Sequence, residues 1–575
     1  MQRLSRITYL VAILAILVGI FGVVSAQDDM MDNVLITEIG ESDIPTLDPA
    51  LATDSSSIQI LNETYIGLTM LDDETAETAP GLATDWERVD NGDGTFTWTF
   101  NLIEEVSWVK YNAETGAVEQ VLDEDGNVRF VTAYDLVYGW ERSLNPATGD
   151  YYGSVLASEV MGGVEYNSQE IAEDGTTSLD FAATVGVVAV DDYTVQITTD
   201  ADRLSTQPSI YGMWMSRPQP SWVIEEFGEL WIDDANFVGY GPFALWEWEN
   251  DEFISIIRNP FWAGTANNPQ PQLDGVVFRM LDSVTALAEY EAGNLDDVDA
   301  VDSASIPRIQ ADPVLSQELV IETSSCSYYY GLGVDEEGPS SNVHFRRALS
   351  FAVDRVQIVE EVTQGGETPA TYFTLPDLAG APSPDLMEEN GFGISFDANA
   401  ALEELDIALE ELGFASVDEL PPITLLYNTS EGHRRIAEAI RDMWSDTLGI
   451  DVQLTNQDFG VYLDQRVDFP IYRAGWCMDY PDANNFLFDV FHSSRNPDTG
   501  YSSAEFDALV EQAVSETDPA IRADLYAQAE QLLVFEDAAI IPIYWYSDLE
   551  LTKPYVERTY AVDNSEQYEH WSLNR

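Results

Sequence analysis

Basic residues are scarce in this chain, and lysine is almost absent. The 575 residues include 24 lysines and arginines but 103 aspartates and glutamates, which gives a formal net charge of −79. The only lysines are Lys110 and Lys553. A surface of this sign repels phosphate groups, so nucleic acid is excluded as a partner and anionic membranes are disfavoured. The acids are dispersed, which indicates a solvated surface and fits export to a saline environment where salt screens their repulsion.

Catalytic and metal-binding motifs are also missing. The sequence has no His-Glu-x-x-His pair, no Gly-Lys-Ser/Thr phosphate loop and no Gly-x-Ser-x-Gly nucleophile elbow. Two cysteines cannot form a structural zinc site. We therefore predict no enzyme activity, no catalytic residues, no metal site and no cofactor. Because 103 acids form many chance pairs, counting alone does not exclude a two-carboxylate glycosidase.

The N-terminus has the three regions of a signal peptide at 1–26. Arg3 and Arg6 precede an apolar run at 9–24, and small residues ending at Ala26 form a cleavage site. The apolar run is shorter than the roughly 20 residues that span a bilayer comfortably, so we predict cleavage rather than a retained anchor. No cysteine lies near the site for lipid attachment. We expect an exported protein, either periplasmic or at the cell surface.

The N-terminal half favours strands joined by turns. A short helix is predicted at 58–65. A turn at 90–94 precedes alternating polar and apolar residues at 95–100, which predicts a hairpin. A second turn at 123–127 lacks the complete oxygen-ligand spacing of a calcium loop, so it also favours a hairpin.

The C-terminal half alternates helices and strands. Apolar residues recur at helical spacing in three segments, and two further segments alternate or run apolar. The predicted helices are 345–362, 433–448 and 521–533, and the predicted strands are 450–454 and 538–546. This order predicts an α/β lobe with a largely parallel sheet.

Several short motifs follow one another along the chain. They are Pro-Thr-Leu-Asp-Pro at 45–49, Tyr-Ile-Gly-Leu at 65–68, Ala-Pro-Gly-Leu-Ala-Thr-Asp-Trp at 79–86, Val-Thr-Ala-Tyr-Asp-Leu-Val-Tyr-Gly-Trp at 131–140, Gly-Tyr-Gly-Pro-Phe at 239–243, Arg-Asn-Pro-Phe-Trp at 258–262 and Phe-Arg-Arg-Ala-Leu-Ser at 345–350. In this order they resemble the peptide-binding receptors of ABC importers, the family 5 oligopeptide- and dipeptide-binding proteins. The resemblance covers nearly all of residues 34–560.

Three further segments are most similar to the periplasmic oligopeptide receptors of that family. They are Cys-Ser-Tyr-Tyr-Tyr at 326–330, Tyr-Asn-Thr-Ser at 427–430 and Arg-Ala-Gly-Trp-Cys-Met-Asp-Tyr at 473–480. Export to an oxidising compartment already predicts a bond between the two cysteines, although sequence alone does not place them side by side. The resemblance supports the pairing of Cys326 with Cys477.

The resemblance implies an α/β fold of the two-lobed periplasmic-binding-protein (Venus flytrap) type with an extra third domain. Its lobes are expected to close over the ligand by a hinge. After the signal peptide, the expected parts are a base lobe at 27–65, 200–325 and 545–575, an inserted domain at 66–199, and a second α/β lobe at 326–544.

The resemblance also implies a function without catalysis. The protein would capture short peptides in the cleft between its lobes and deliver them to the permease subunits of an ABC importer, and we expect it to be a monomer. Two alternatives stay open. The same fold could bind an oligosaccharide, a nickel complex, haem or an opine, or the chain could be an exported hydrolase.

A receptor for peptides of any sequence must recognise the ammonium, the extended backbone and the carboxylate that all peptides share. The resemblance assigns the ammonium to Asp479, the backbone to Gly475, Trp476 and Cys477, the carboxylate to Arg473 and His433, and the pocket walls to Tyr152, Phe459 and Tyr329.

Each assignment has a plainer alternative. Asp479 could cap a helix, the 475–477 segment could be an ordinary strand, and Arg473 could pair with a surface acid. The aromatic residues could be core. A lysine and a glutamate near the ligand in the resembled receptors are replaced here by Thr363 and Gly331 or their neighbours, so the preferred peptide length and charge stay open.

Overall fold

The computed structural model describes residues 33–575, apart from 173–174, 201–202, 204–205, 300, 302, 335–337, 496 and 563–564. The predicted signal peptide and its cleavage site lie outside the described residues. Within the described part of the chain, no helix is both long enough and apolar enough to cross a bilayer.

Two four-stranded sheets form the N-terminal body. The base sheet has one parallel pair followed by two antiparallel pairs, in the order Val34–Glu38, Gly275–Arg279, Phe253–Arg258 and Phe243–Glu249. The small sheet is antiparallel throughout, in the order Ala83–Asp90, Phe96–Leu102, Thr194–Thr199 and Val187–Asp191. Its first two strands flank the turn at 90–94, which confirms the predicted hairpin.

A seven-stranded large sheet forms the second lobe. Its order is Asp297–Val298, Ile540–Thr552, Leu319–Leu332, Ile471–Cys477, Ile423–Asn428 and Val452–Gln457, and Thr368–Pro369 also pairs with Ile540–Thr552. Three two-stranded ribbons complete the strands: Thr69–Leu71 with Thr78–Pro80, Val109–Asn112 with Ala117–Gln120, and Val556–Glu557 with Ser572–Leu573.

Helices pack around these sheets. The α-helices are Ser55–Thr64, Ala133–Leu144, Gly153–Ala157, Gly163–Asn167, Phe181–Thr184, Gln207–Ile210, Ser221–Phe227, Ser283–Ala292, Ile306–Ala311, Leu315–Glu318, Val343–Phe351, Arg355–Gln357, Pro384–Asn390, Ala398–Leu412, Glu431–Leu448, Phe459–Gln465, Ala483–Phe491, Ala504–Ser515 and Pro519–Gln531. Two π-helical segments, Ile358–Thr363 and Leu532–Glu536, continue two of them.

The prediction of a largely parallel sheet is wrong for the large sheet. Ile423–Asn428 runs parallel to Val452–Gln457 and to Ile471–Cys477, and the helix Glu431–Leu448 connects the first pair. The two long strands, Leu319–Leu332 and Ile540–Thr552, lie antiparallel to their neighbours. They come from outside this helical crossover, so the rule that crossover helices give parallel pairs does not apply to them.

The single helix predicted at 345–362 is also wrong. The helix Val343–Phe351 ends before Asp354, whose side chain accepts the N–H of Gln357 and starts a new helix. The buried Arg355 guanidinium donates to the carbonyl oxygens of Ser350 and Pro542 at 3.2 and 2.7 Å, which fixes the break against the large sheet. Apolar periodicity alone does not reveal such a cap.

The base sheet and the small sheet share one continuous hydrophobic core. It extends from Leu35 and Ile256 in the base sheet through Trp98 and Phe100 in the small sheet to Trp571 near the C-terminus. The large sheet has a separate core on each of its faces. The inserted segment therefore forms its own sheet but packs on the base lobe as part of one body.

The two long strands connect this body to the second lobe. Leu319–Leu332 and Ile540–Thr552 pair along most of their length, but the register shifts between Thr323 and Ser327. An irregularity in a ladder is a place where paired strands can bend. The expected lobe boundaries at 325–326 and 544–545 lie at this irregularity.

Candidate functional site

A cavity of about 280 Å³ lies between the two lobes. The base lobe lines it with the helix Ser55–Thr64 and with Trp214, and the inserted segment contributes Tyr152. The second lobe contributes the end of the strand Ile471–Cys477 and the residues that follow it. Seven of the nine predicted ligand residues lie in this lining: Tyr152, Phe459, Arg473, Gly475, Trp476, Cys477 and Asp479.

The strand Ile471–Cys477 has one edge that opens toward this cavity. Its other edge pairs with Leu319–Leu332 as far as Cys477. On the cavity side the parallel partner Ile423–Asn428 pairs only with Ile471 and Tyr472. Residues 473–477 therefore have no strand partner on that side among the described residues, which is the arrangement needed for an extended ligand to add as a strand.

Gly475 lies in the middle of this open edge. A Cβ placed on Gly475 would lie 3.1 Å from Nη2 of Arg473 and 3.5 Å from the hydroxyl of Tyr546. The missing side chain keeps space between the strand, the guanidinium and the cavity, so a second backbone can approach closely here.

Asp479 lies just beyond the strand and is held by Asn485. The Asn485 Nδ2 donates to Oδ2 of Asp479 at 2.8 Å, and its Oδ1 accepts the backbone N–H of Asp479 at 2.9 Å. The same Oδ1 accepts the indole N–H of Trp476 at 3.2 Å. The helix Ala483–Phe491 is capped by Asp482. The capping alternative for Asp479 is therefore wrong.

Arg473 presents a buried guanidinium to the same cavity. Its Nη2 donates to the hydroxyl of Tyr546 at 2.5 Å and its Nη1 to Oδ1 of Asn428 at 3.3 Å. The guanidinium carbon lies 4.8 Å from the ring centroid of Tyr328. No carboxylate of the described residues lies within ion-pair distance of Arg473, whereas Arg466, which also lines the cavity, pairs with Asp498 at 2.5 Å.

His433 lies behind this group rather than in the cavity lining. Its Nδ1 is 3.4 Å from the hydroxyl of Tyr328. Burial, and next the positive charge of Arg473, hold the pKa of His433 well below its usual value. A neutral imidazole cannot offer a charge to a carboxylate. His433 therefore packs against Tyr328, which in turn contacts Arg473, and does not itself line the cavity.

Aromatic rings from both lobes meet at the cavity. Tyr152 stacks on Trp476 with ring centroids 6.1 Å apart and packs edge-on against Trp214 at 4.8 Å. Burial, followed by the negative charge of Asp479, raises the pKa of Tyr152 well above its usual value. Phe459 lies over Tyr462 with ring centroids 6.4 Å apart. The rings thus form apolar walls beside Asp479 and Arg473.

Tyr329 does not line the cavity. It packs against Phe373 and Phe491 at centroid distances of 5.1 and 6.1 Å, inside the core on one face of the large sheet. Thr363 and Gly331 also lie away from the lining; at Gly331 the ring of Tyr472 occupies the space of a side chain.

The predicted disulfide between Cys326 and Cys477 is confirmed. The two residues lie directly opposite each other in the antiparallel ladder, with Cα atoms 4.0 Å apart. The bond joins the first pair of the ladder between Leu319–Leu332 and Ile471–Cys477, at the last residue of the strand whose edge is open. It therefore fixes the strand end that leads to Asp479.

Sequence reasoning missed several residues of the site. Tyr546, Asn485, Trp214 and Tyr462 line the cavity or hold residues that line it. Tyr546 ends the apolar run that was predicted as a strand. The sequence therefore predicted the strand but not the contact of Tyr546 with Arg473. The bond between Arg473 and Tyr546 joins residues 73 positions apart, a distance along the chain over which the sequence shows no contact.

The two lobes also touch outside the cavity. The Arg495 guanidinium of the second lobe donates to the backbone oxygen of Ser154 and, at 3.0 Å, to the hydroxyl of Ser158. Its charge is balanced by Asp489 at 3.2 Å. These bonds hold the inserted segment against the second lobe, so the cavity is enclosed between them.

The chain matches one family model and resembles proteins of known structure. The model for "Bacterial extracellular solute-binding proteins, family 5 Middle" matches residues 77–498. The chain is 31% identical to the Periplasmic oligopeptide-binding protein OppA of Salmonella typhimurium over 543 residues, which is 93% of this chain and 91% of that protein. The structure of Haemophilus influenzae OppA in complex with RPPGFSPFR has a TM-score of 0.79 and 26% identity, covering 95% of this chain and 100% of that one.

Two structures of murein tripeptide binding proteins named MppA, the first from Escherichia coli, compare differently with this chain. Both are 27% identical to it and cover 94% of it, together with 99% and 97% of their own chains. One has a TM-score of 0.79, and the other, an unliganded open form, has 0.59. The chain therefore superposes less well on that unliganded open form than on the first structure.

Proposed function

The chain belongs to the family 5 bacterial extracellular solute-binding proteins, and on this basis we propose that it captures short peptides between its lobes and delivers them to an ABC importer. The observation that carries the proposal is the lining of the cavity. From Asp479 back to Arg473 the lining presents a carboxylate, then a strand edge without a partner, then an arginine that pairs with no carboxylate of the described residues. These three features match the ammonium, the backbone and the carboxylate of a peptide.

The spacing of the two charged groups sets the size of the ligand. Asp479 and Arg473 are six residues apart, and extended chain covers at most about 3.3–3.6 Å per residue, or roughly 20 Å in total. That is the span of a short peptide. A neutral oligosaccharide carries neither an ammonium nor a carboxylate for these groups, so the arrangement favours a peptide over a neutral sugar.

Several finer statements belong to the same proposal. The chain would act without catalysis as a monomer, outside the cytoplasm, and would present its closed form to importer permease subunits. The named relatives are binding proteins. The lobes would close by bending where the ladder is irregular, between Thr323 and Ser327. Closure would form the contacts between lobes seen here, namely Tyr152 with Trp476 and Arg495 with Ser154 and Ser158.

The test is to identify what the protein carries and what it binds. Native mass spectrometry of protein purified from its own host should release peptides of a few residues. Calorimetry of the ligand-free protein should then show binding of an unmodified tripeptide such as Ala-Ala-Ala. A co-purified sugar or metal complex, with no binding of any peptide, would reject the proposal in favour of the other solute classes.

The carboxylate role of Arg473 predicts a smaller, separate effect. Arg473→Lys keeps the charge but loses the planar fork, so we expect peptide binding to weaken about tenfold. Amidation of the peptide C-terminus should weaken binding to the original protein more than binding to the variant. Arg434→Lys, which changes an arginine in exposed surface ion pairs, is the matched control and should bind as before. Equal losses on amidation in all three proteins would assign the carboxylate elsewhere.

The N-terminal processing is a further prediction. The exported protein should begin at or near Gln27 and carry no lipid, because the apolar run ends in small residues without a neighbouring cysteine. Intact-mass measurement and N-terminal sequencing of the exported form decide this. A mass that includes residues 1–26 would show a retained anchor.

A further inference from the structure

The base-lobe end of the cavity is lined by carboxylates that have no cationic partner. Asp54, Glu63 and Glu569 all belong to the lining, and they are 4%, 1% and 3% exposed. Asp54 and Glu63 lie at the two ends of one helical segment, while Glu569 comes from the C-terminal tail. None of the three forms an ion pair with a lysine, arginine or histidine among the described residues.

Glu63 is the innermost of these acids. Its Oε1 accepts the backbone N–H of Tyr568 at 3.2 Å and the side-chain amide of Gln59 at 3.4 Å. Its Oε2 is buried, and no backbone N–H, side-chain N–H or hydroxyl group of the described residues donates a hydrogen bond to it. The carboxyl group of Glu569 contacts that of Glu63 and can donate a hydrogen bond to it when Glu569 is protonated. Two acids in contact therefore share one buried space.

Asp54, at the opposite end of the same helix, also has an oxygen without a donor in the described part of the chain. Its Oδ1 accepts the N–H of Ser57 at 2.9 Å and caps the helix. Its Oδ2 is buried without a donor from the described residues. One oxygen of Asp54 thus caps the helix. The second oxygen, like Oε2 of Glu63, has no role in stabilising the described fold.

No basic group of the described residues forms an ion pair with these acids. Arg217, which also lines the cavity, donates instead to the carbonyl oxygen of Leu61 at 3.0 Å and to Oδ1 of Asn62 at 2.6 Å. The charged groups that face Glu63 and Glu569 are Glu566 on the C-terminal tail and Asp73 on the turn after the first ribbon strand. The two arginines of the C-terminal tail are already engaged, Arg558 by Asp297, Glu550 and Glu566 and Arg575 by Asp296. His570 points to the backbone oxygen of Asn267.

Burial raises the pKa of Glu63 well above its ordinary value, and the negative charge of Glu569 raises it further. Burial also raises the pKa of Glu569, to about 8; the charge of Asp73 adds to this effect and a hydrogen bond with Glu63 opposes it. A proton shared by the pair is therefore favoured over two buried charges. A ligand cation that takes the place of this proton would let both carboxylates ionise. The adjoining lining is apolar, formed by Ile58, Met70 and Leu71, and suits the methylene stem of a long cationic side chain.

We propose that this end of the cavity is a subsite for a lysine or arginine side chain of the bound peptide. The inference rests on the proposed function, since the side chain must belong to a peptide held by the rest of the cavity. The strongly negative surface of the protein also attracts cationic peptides toward the cleft. The subsite would make this chain prefer peptides that carry lysine or arginine at one particular position.

Calorimetry with matched tripeptides tests the subsite. Lys-Ala-Ala, Ala-Lys-Ala and Ala-Ala-Lys are compared with the same peptides carrying norleucine, which keeps the stem and lacks the ammonium. At pH 7.5 we expect lysine to bind at least about tenfold tighter than norleucine at one position, as a desolvated charge-assisted bond provides. Because the cation displaces a proton, binding of that peptide should release a proton, measured as a heat that depends on the buffer.

Two isosteric variants carry the comparison. In Glu63→Gln and in Glu569→Gln the lysine preference should fall to about twofold or less, and the proton release should disappear. Binding of Ala-Ala-Ala should stay within about twofold of the original protein. Both variants remove a buried acid that lies against another, so they should fold. Each variant by itself tests whether the acid pair binds the lysine side chain. Glu389→Gln, at an exposed position, is the control and should keep the preference.

The outcomes separate the subsite from the function on which it rests. If Ala-Ala-Ala binds but lysine is preferred at no position, or if the preference survives both variants, the subsite is rejected and the proposed function stands. If no peptide binds the original protein, the proposed function fails and the subsite fails with it.

Discussion

Replacement of Asp479 by alanine is expected to weaken peptide binding by about 30-fold to several thousand-fold. Removing one partner of a buried charge pair typically costs about 2–5 kcal/mol, which corresponds to that range in Kd. The loss is large because the peptide ammonium would remain enclosed by Tyr152 and Trp476 without a counter-charge. Calorimetric titration of an unmodified tripeptide into both proteins measures it.

A double-mutant cycle shows whether Asp479 acts on the ammonium. N-acetylation of the peptide removes the same charge, so it should weaken binding to the original protein by a similar factor and barely affect Asp479→Ala. Asp464→Ala, at an exposed position on the helix Phe459–Gln465, is the control and should behave as the original protein. Equal effects of acetylation on all three proteins would rule out Asp479 as the ammonium partner.

Loss of the disulfide is expected to lower the free energy of unfolding by about 2–4 kcal/mol. Cys326 and Cys477 are separated by 151 residues, and a bond across so long a segment restricts the unfolded chain strongly. The double variant Cys326→Ser, Cys477→Ser should therefore unfold at lower denaturant concentration, measured by fluorescence of the tryptophans. The original protein kept under reducing conditions should show the same shift.

The same variant separates stability from binding. Cys477 lies at the open strand edge, where a ligand pairs with the backbone rather than with the sulfur. Tripeptide affinity should therefore change little at temperatures where the variant is folded. Unchanged unfolding on reduction of the original protein would contradict the stabilising role, and a large loss of affinity would give the bond a direct role in the site.

The motif at 473–480 illustrates how far sequence reasoning reached. It placed Arg473, Gly475, Trp476, Cys477 and Asp479 at one ligand site, and the structure brings all five to one cavity. They lie within seven consecutive positions, so an extended strand and the turn after it keep them together whatever the rest of the fold does. Tyr152 and Phe459 were found through the wider family pattern.

Tyr329 and His433 show where that reasoning fails. Successive residues of a strand point to opposite faces of a sheet, so the tyrosine run at 328–330 cannot face one pocket. Tyr328 lies on the Arg473 side, whereas Tyr329 packs into the opposite core. His433 is one helical turn from the strand end, and only its packing against Tyr328 decides that it is screened from the cavity.

The sequence by itself determined the family and the two-lobed α/β architecture, and it predicted the peptide-recognition residues, because these follow from local motifs and their order along the chain. Only the tertiary structure decided which acids are buried without a cationic partner among the described residues. Glu63 and Glu569 are 506 positions apart, and nothing near either one marks it among 103 acids. They become a buried pair because the C-terminal tail returns to the helix Ser55–Thr64, and burial without a cation distinguishes them from a solvated surface acid.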